Sequence, residues 1–440
     1  MRYQHLTDNC LATGIGEHGL TGEAFARVLL AAAPAHDRLC QLHDSGRLPC
    51  LSVVGLDDDL APARALAEDW RARLDDVVVL GTGGSSLGGQ TLYALSDRGF
   101  GPQGGGPRLH FLDNVDPDSM SALLGALDLS RSGIIAISKS GATAETLAQV
   151  LVLLPALEEA VGRARLADHM AVVTEPGPSP LREPSPLREI ATRYGLPCFD
   201  HDPEIGGRFS VFSVAGALPA MIAGLDFAAL RRGAGEVLRA TLDAKRVEES
   251  VPAIGAAIAI GLLQERQLTQ SVLITYEDRL ATLGLWYRQL WAESLGKDGT
   301  GTTPIRARGT ADHHSQLQLY LAGPRDKMFT LVMPGTAGGG AAMSAPLAEA
   351  AGAQGLAGRT LGDLLDAAAR ATAQTLARNG RPVRLIRLEA VDEAALGAVQ
   401  MHFMIETIIA ADLLGVNAFD QPAVEAGKAL TWQYLNQAGQ

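Results

Sequence analysis

Short, mostly apolar runs alternate with longer Ala- and Leu-rich stretches through the first half of the chain. Residues 77–80, 109–112, 134–137 and 170–173 are four such runs, each followed by Gly, Pro, Asp or Ser and then by a segment of helical character. That order predicts parallel strands joined by crossover helices, because only a long connection returns the chain to the same edge of a sheet. The second half repeats the style, with strand-like runs at 272–276, 329–333 and 383–388 and a helical stretch at 401–414. The expected fold is α/β, two α/β/α sandwich domains with mainly parallel sheets. We divide them near residues 205 to 235 and draw the units at 1–215 and 216–440.

Composition narrows the class. The chain has 440 residues, of which 47% are hydrophobic and 20% charged, enough apolar material for two cores. A net charge of −12 speaks against a general nucleic-acid or polyanion binder and leaves room for a local pocket that takes one small anion. Four cysteines (Cys10, Cys40, Cys50 and Cys198) lack both CxxC spacing and disulfide-framework density, which fits free thiols in a reducing cytoplasm. The start, MRYQHLTDNC, lacks the apolar run of a secretory leader. The uncharged stretch 209–225 contains Ser210, Ser213, Gly216 and Pro219 and is marginal in length for a bilayer, so it is expected as a buried helix rather than a membrane span.

Two regions carry less chemistry. PSPLRE occurs twice in tandem, at 178–183 and 184–189, and reads as a local duplication lengthening a surface loop. Residues 334–358 are rich in Gly and Ala, with Glu349 as the one charge, and read as a mobile loop or a loosely packed helix pair.

The chemistry begins at GTGGSSLGG, residues 81–89, directly after an apolar run. A dinucleotide fingerprint needs a third glycine where Ser86 stands, and a nucleoside-triphosphate loop needs lysine where Gln90 stands. What remains is a glycine turn with the hydroxyls of Ser85 and Ser86 at a helix start, which suits one phosphate monoester. A plain tight turn explains the segment equally simply when it is taken alone. SKSGATAET, residues 138–146, follows another strand-like run and places Ser138, Ser140, Thr143 and Thr146 around Gly141 at a second helix start. N-capping needs one hydroxyl, not four. Two such strand–loop–helix units can meet over one ligand at the carboxyl ends of parallel strands.

SKSGATAET resembles the phosphate-binding signature of sugar isomerase domains, and GTGGSSLGG resembles the glycine-rich signature of the glucose-6-phosphate isomerase family. GGRFS (206–210), WAESLGKDG (291–299), GTADHHSQLQLYLAGPRDK (309–327) and FDQPAVEAGK (419–428) extend the resemblance in the family's order. It implies two sugar-isomerase-type domains. It also implies a cofactor-independent and metal-independent aldose–ketose isomerisation of a phosphosugar, without a nucleic-acid or membrane partner. Bifunctional activity on mannose 6-phosphate and a non-catalytic phosphosugar sensor are the alternatives.

Aldose–ketose isomerisation needs a base to move a proton between adjacent carbons, a stabiliser for the enediolate, and an acid–base group to open the ring. Glu293 suits the base. Trp286 and Leu290 precede it by seven and three residues on the same helix face, so it is expected to be buried; an exposed pair with Lys297 at i+4 is the simpler reading of the segment alone. Arg208, a lone cation set between two glycines and Phe209, either anchors a loop or faces an anion. By resemblance it stabilises the enediolate, while His314 opens the ring from across a homodimer interface. The same resemblance gives Lys428 a ring-opening or substrate-binding role and makes Gln421 a substrate contact. On spacing, Gln421 and Lys428 are expected on one helix face. Gly84, Ser85, Ser138, Lys139, Ser140, Thr143 and Thr146 complete the implied substrate site. The chain departs from the family at Gly141 and Ala142, where bulk is lost, at Ser86 in place of aspartate, at Leu295 in place of asparagine, and at His313 where glutamine is common.

Overall fold

Two five-stranded sheets carry the molecule, and the computed structural model describes residues 2–177 and 185–438. The strands are β1 (Tyr3–Leu6), β2 (Asp76–Leu80), β3 (Arg108–Leu112), β4 (Ser132–Ile137), β5 (Met170–Thr174), β6 (Cys198–Asp200), β7 (Gln270–Thr275), β8 (Thr303–Arg308), β9 (Lys327–Pro334) and β10 (Val383–Leu388). The first sheet runs β3-β2-β4-β5-β6 and is wholly parallel. The second runs β1-β10-β9-β7-β8 and is parallel except for β1. Every residue of β4, β5 and β9 is buried, as expected of parallel strands covered on both faces by helices.

The antiparallel strand β1 pairs with β10. The chain's first residues therefore sit in the sheet of the second half, outside the 1–215 unit drawn from the sequence. A buried polar chain holds this strand. Tyr3 Oη meets His402 Nδ1 at 2.7 Å, His402 Nε2 meets Glu406 Oε2 at 2.8 Å, and Arg384 reaches Glu406 Oε1 at 2.8 Å. Arg384 and Glu406 are both essentially inaccessible to water, so each charge depends on the other.

Arg384 and His402 hold the Glu406 carboxyl below its ordinary value, against desolvation, the largest influence on it, which acts to raise it. Desolvation likewise holds the His402 imidazole below its ordinary 6.5. Both groups bind fewer protons folded than unfolded near neutral pH and below, so their contribution is present above those ordinary values and is lost as pH falls. We expect the melting temperature to decline from about pH 6.5 downward, with a shallower decline in Glu406→Gln, measured by calorimetry across pH. That variant also loses about 3 kcal/mol or more at pH 7, because it leaves Arg384 buried without its counter-charge.

The segment 209–225 folds as part of a 3₁₀ stretch, Gly207–Phe212, and the helix Val214–Ile222, every residue of which is buried. Helix Glu393–Leu414 is long and apolar enough to cross a bilayer, yet its apolar window is entirely enclosed by protein, so it is a core helix. It packs on helices Phe227–Leu242, Val251–Arg266 and Leu283–Leu295. The first copy of PSPLRE lies outside the described residues. The second is not a loop extension: Ser185 caps helix Pro186–Tyr194, and both Ser185 and Leu187 are buried. Residues 334–358 hold a short helix, Ala345–Ala350, and a 3₁₀ turn, Gln354–Leu356, both largely exposed.

Candidate active site

The chain leaves β2 toward β3 on one side and later enters β4 on the other, so the carboxyl ends of β2 and β4 flank a topological switch point. Ligands of open α/β sheets bind in the crevice such a reversal creates. GTGGSS follows β2 and SKSGAT follows β4, which brings both hydroxyl-bearing turns to this crevice. A side chain on Gly81 would lie 3.1 Å from the Ile137 carbonyl, so the two turns are in contact. The second sheet reverses in the same way between β7 and β9, but there the turn carries Glu277 and Asp278, paired with Arg279 and Arg308, in place of the glycines and hydroxyls found after β2 and β4.

Ser85 lies in the first turn of helix Gly84–Ser96, where the positive end of the helix dipole favours an anion. Ser86 faces inward, wholly buried, and accepts a hydrogen bond from Gln90 at 2.8 Å; Gln90 also donates to Asp113 at 2.8 Å. The residue in the place of a nucleotide-loop lysine thus ties the helix to the end of β3. Ser86 is a packing residue, so its departure from the family leaves the crevice alone. Leu295 is likewise buried in the core.

In the second turn, Ser138 Oγ and Thr143 Oγ1 lie 2.8 Å apart, and Ser138 accepts from the Gly141 N–H at 3.1 Å. Ser140 is exposed and accepts from the Ala142 N–H at 3.2 Å. Thr146 is buried with its hydroxyl lacking a protein partner, and Lys139 is half-buried. Ser138 and Ser140 accept from N–H groups of their own turn, which leaves hydroxyl protons in this set to donate to an anion with several acceptor oxygens.

GGRFS closes on the glycine turn. A Cβ on Gly84 would lie 2.0 Å from the Gly207 carbonyl carbon, so only glycine allows this backbone contact. Ser210 Oγ, 3.3 Å from the Gly84 carbonyl, fastens it. Arg208 is then aimed into the interior with its side chain 2% exposed. It donates to Ser294 Oγ at 2.8 Å, Glu293 Oε2 at 3.3 Å, Gln421 Oε1 at 2.7 Å, the Asp420 carbonyl at 3.0 Å and the Ala418 carbonyl. Burial pushes its pKa down, and Glu293 and Asp420 oppose that.

Glu293 sits in helix Leu283–Leu295, and its other oxygen accepts from Gln289 at 3.1 Å. A Cβ on Gly83 would lie 2.8 Å from that same Gln289 amide, which links the glycine turn to the carboxylate. The expectation of a buried Glu293 is corrected: its side chain is 34% exposed, because it stands at the edge of the Trp286–Leu290 stripe and faces the crevice. Lys297 does not pair with it. Its ammonium donates to the carbonyls of Ser294, at 2.9 Å, and Asn417, and meets Asp420 Oδ1 at 3.2 Å. Desolvation pushes the Lys297 pKa down, with Asp420 opposing. Arg208 and Lys297 together clamp residues 417–421 to the site.

Gln421 and Lys428 do not share a helix. Pro422 opens a 3₁₀ turn, Pro422–Val424, and helix Glu425–Ala438 begins only after it. Lys428 points outward, paired with Glu425 at 2.7 Å, both side chains 63% exposed. His313 faces inward, with Nε2 at 2.8 Å from Tyr276 Oη and 3.1 Å from Thr372 Oγ1, and burial lowers its pKa. His314, at the end of the 3₁₀ turn Ala311–His314, is exposed. One chain therefore gathers the hydroxyl turns, Arg208, Glu293 and Gln421, and leaves His314 and Lys428 facing solvent. Among the described residues, no cluster of His, Cys, Asp and Glu has metal-site geometry. Sequence reasoning missed Gln289 and Ser294 as supports; Gln289 is legible as the i−4 neighbour of Glu293, whereas nothing in the sequence marks Ser294.

Known proteins resemble this chain along most of its length. Residues 67–314 match the family model described as phosphoglucose isomerase. The chain is 40% identical over 367 residues to the glucose-6-phosphate isomerase of Rubrobacter xylanophilus, covering 83% of each. It is 38% identical to that of Thermus thermophilus, over 84% of this chain and 85% of the relative. Among solved structures, a hypothetical protein from Thermus thermophilus superposes with a TM-score of 0.86 at 35% identity, covering 98% of this chain and 99% of that one. A glucose-6-phosphate isomerase from Chlamydia trachomatis shares the fold, with a TM-score of 0.70 at 22% identity over 87% and 74% of the two chains.

Proposed function

The chain belongs to the phosphoglucose isomerase family, and we propose from that premise which of its residues carry the aldose–ketose interconversion of glucose 6-phosphate and fructose 6-phosphate, its reaction. The phosphate sits on Ser85, Ser138, Ser140, Thr143 and Thr146, with Gly84 and Lys139 lending backbone and charge. Glu293 takes the proton from one carbon and returns it to its neighbour. Arg208 holds fixed positive charge against the enediolate oxygens, and Gln421 orients the sugar. His314 and Lys428 open the ring.

The observation that supports this most is the junction at Arg208. One buried guanidinium spans Glu293 and Gln421 while its backbone lies against Gly84 of the phosphate turn. Base, cation and anion cradle are thereby held in one rigid unit, the requirement for a near-attack geometry. A sensor that only binds phosphosugar has no use for this arrangement, and neither it nor a bifunctional isomerase is favoured.

The outward-facing His314 and Lys428 support a homodimer in which a second copy supplies the histidine. Helix Glu425–Ala438 also exposes Leu430, Trp432, Tyr434 and Leu435, apolar side chains that a second copy can cover in part. We place the enzyme in the cytoplasm, consistent with four cysteines that are all free.

Complementation tests the shared site. Glu293→Gln and His314→Asn homodimers are each expected to be inactive. After mixing, unfolding and refolding, half of the dimers are mixed and each mixed dimer holds one intact site, so about a quarter of wild-type activity should return. No recovery in a coupled assay, with mixed dimers shown by mass spectrometry, would place His314 in its own chain's site.

A further inference from the structure

The phosphate turn is closed from behind by two side chains that line no crevice. Thr174, the last residue of β5 and wholly buried, donates its hydroxyl to the Lys139 carbonyl at 3.1 Å. Its single proton being spent there, its oxygen accepts from the Ser185 hydroxyl at 3.1 Å. The Glu175 N–H adds a bond to the same Lys139 carbonyl at 2.9 Å, and the Leu187 N–H donates to the Gly141 carbonyl at 3.2 Å.

Gly141 shows how tight this backing is. It has φ of 66°, and a Cβ there would lie 1.9 Å from Ser185 Oγ, 2.9 Å from Thr174 Oγ1 and 3.1 Å from Leu187 Cβ. Space that a side chain at 141 would fill is filled by Ser185 and Leu187, both from the second PSPLRE copy. Gly141 in turn donates its N–H to Ser138, whose hydroxyl meets that of Thr143. A continuous path of hydrogen bonds thus runs from Ser185 through Thr174 and the 139–141 backbone to the hydroxyls that face the crevice.

We infer that Thr174 and Ser185 are positioning residues for phosphate binding, holding the 138–143 turn in its anion-accepting form without touching substrate. The inference rests on the reading that this turn takes the phosphate. A turn fixed in advance spares the binding step the entropy of ordering it, so the effect belongs in the affinity for phosphate and not in proton transfer at Glu293.

The test compares Thr174→Val, which removes the hydroxyl at nearly constant shape, with Thr174→Ser, which keeps it, and with Ser185→Ala. KM and kcat for fructose 6-phosphate and the competitive inhibition constant of inorganic phosphate are measured on each, with melting temperatures as a fold check. Thr174→Val is expected to raise KM and the phosphate constant together by about five- to tenfold, and Ser185→Ala by about threefold, with kcat within about twofold of wild type. Thr174→Ser should restore both. Unchanged KM and phosphate constants in Thr174→Val and Ser185→Ala, or a fall confined to kcat, would overturn the inference. If Thr174→Val does not fold, Ser185→Ala carries the same readout. Ser138→Ala is run alongside: if it weakens phosphate while the other two do not, only the positioning role fails, and if it also leaves phosphate unchanged, the phosphate reading itself fails.

Discussion

Glu293→Gln is expected to lower kcat by about 10²- to 10⁴-fold while KM for fructose 6-phosphate stays near its wild-type value. The amide keeps the size of the carboxylate and one acceptor oxygen, which either Gln289 or Arg208 can still use. What it loses is the capacity to take a proton. Because the Glu293 side chain is 34% exposed and its partners lie at 3.1 and 3.3 Å, the fold should notice little, a melting-temperature shift of no more than about 4 °C. Glu293→Asp separates chemistry from geometry. It keeps the base but draws it back by about 1 Å, a displacement worth about 100-fold in rate, so it should fall between wild type and the amide. The assay is the coupled isomerase reaction with calorimetry beside it. A Gln variant within tenfold of wild-type kcat would remove Glu293 from the role of base.

The parts of this site legible in the sequence are those that local pattern controls. β2, β4, β5, β7 and β9 are short, mostly apolar runs because parallel strands are buried on both faces, and β10, VRLIRL, keeps enough Val, Leu and Ile to read as a strand despite Arg384 and Arg387. The turns after β2 and β4 are marked by glycines and hydroxyls, so the crevice itself is legible. β8 escaped because, as an edge strand, TPIRAR shows a mixed burial pattern, and β6 because it is three residues long. β1 escaped for a different reason: its pairing with β10 joins residues nearly 400 positions apart, as in Tyr3 with Leu388, which no window along the chain contains.

The errors in the site have similar causes. Periodicity put Glu293 on the Trp286–Leu290 face, but a helix face has edges, and the crevice lies at this one. Spacing put Gln421 and Lys428 on one helix, but Pro422 opens a separate 3₁₀ turn, Pro422–Val424, a first-turn position that suits proline, and the helix carrying Lys428 begins only at Glu425. PSPLRE looked like loop material, yet Ser-Pro is also a helix start with its cap, and the second copy is used as one. His314 and Lys428 illustrate a limit of another kind: a residue that serves a neighbouring copy carries no mark in its own chain beyond its exposure.

Arg208→Lys should be nearly as damaging as Arg208→Ala, and its effect should appear in both stability and rate. The guanidinium makes five hydrogen bonds in three directions, to Ser294, to the pair Glu293 and Gln421, and to the carbonyls of Ala418 and Asp420. An ammonium has three donors on a single atom and cannot span that fork. In the lysine variant the Ala418 and Asp420 carbonyls lose their partner, at about 1 to 3 kcal/mol for the buried Ala418 acceptor and less for the part-buried Asp420 one. Lys297 alone then holds residues 417–421, so Gln421 should drift from the site. A loss of about 3 to 5 kcal/mol is expected, seen as a melting temperature several degrees lower. The rate should fall further than this loosening explains, because fixed positive charge beside a developing oxyanion is worth about 10²- to 10³-fold in kcat. A five-carbon phosphorylated acid that mimics the enediolate separates the two contributions. If Arg208 stabilises the intermediate, the mimic should lose affinity in step with kcat/KM while fructose 6-phosphate loses much less. Equal losses for mimic and substrate would leave Arg208 as an anchor of the 417–421 segment and assign the enediolate's counter-charge to another group.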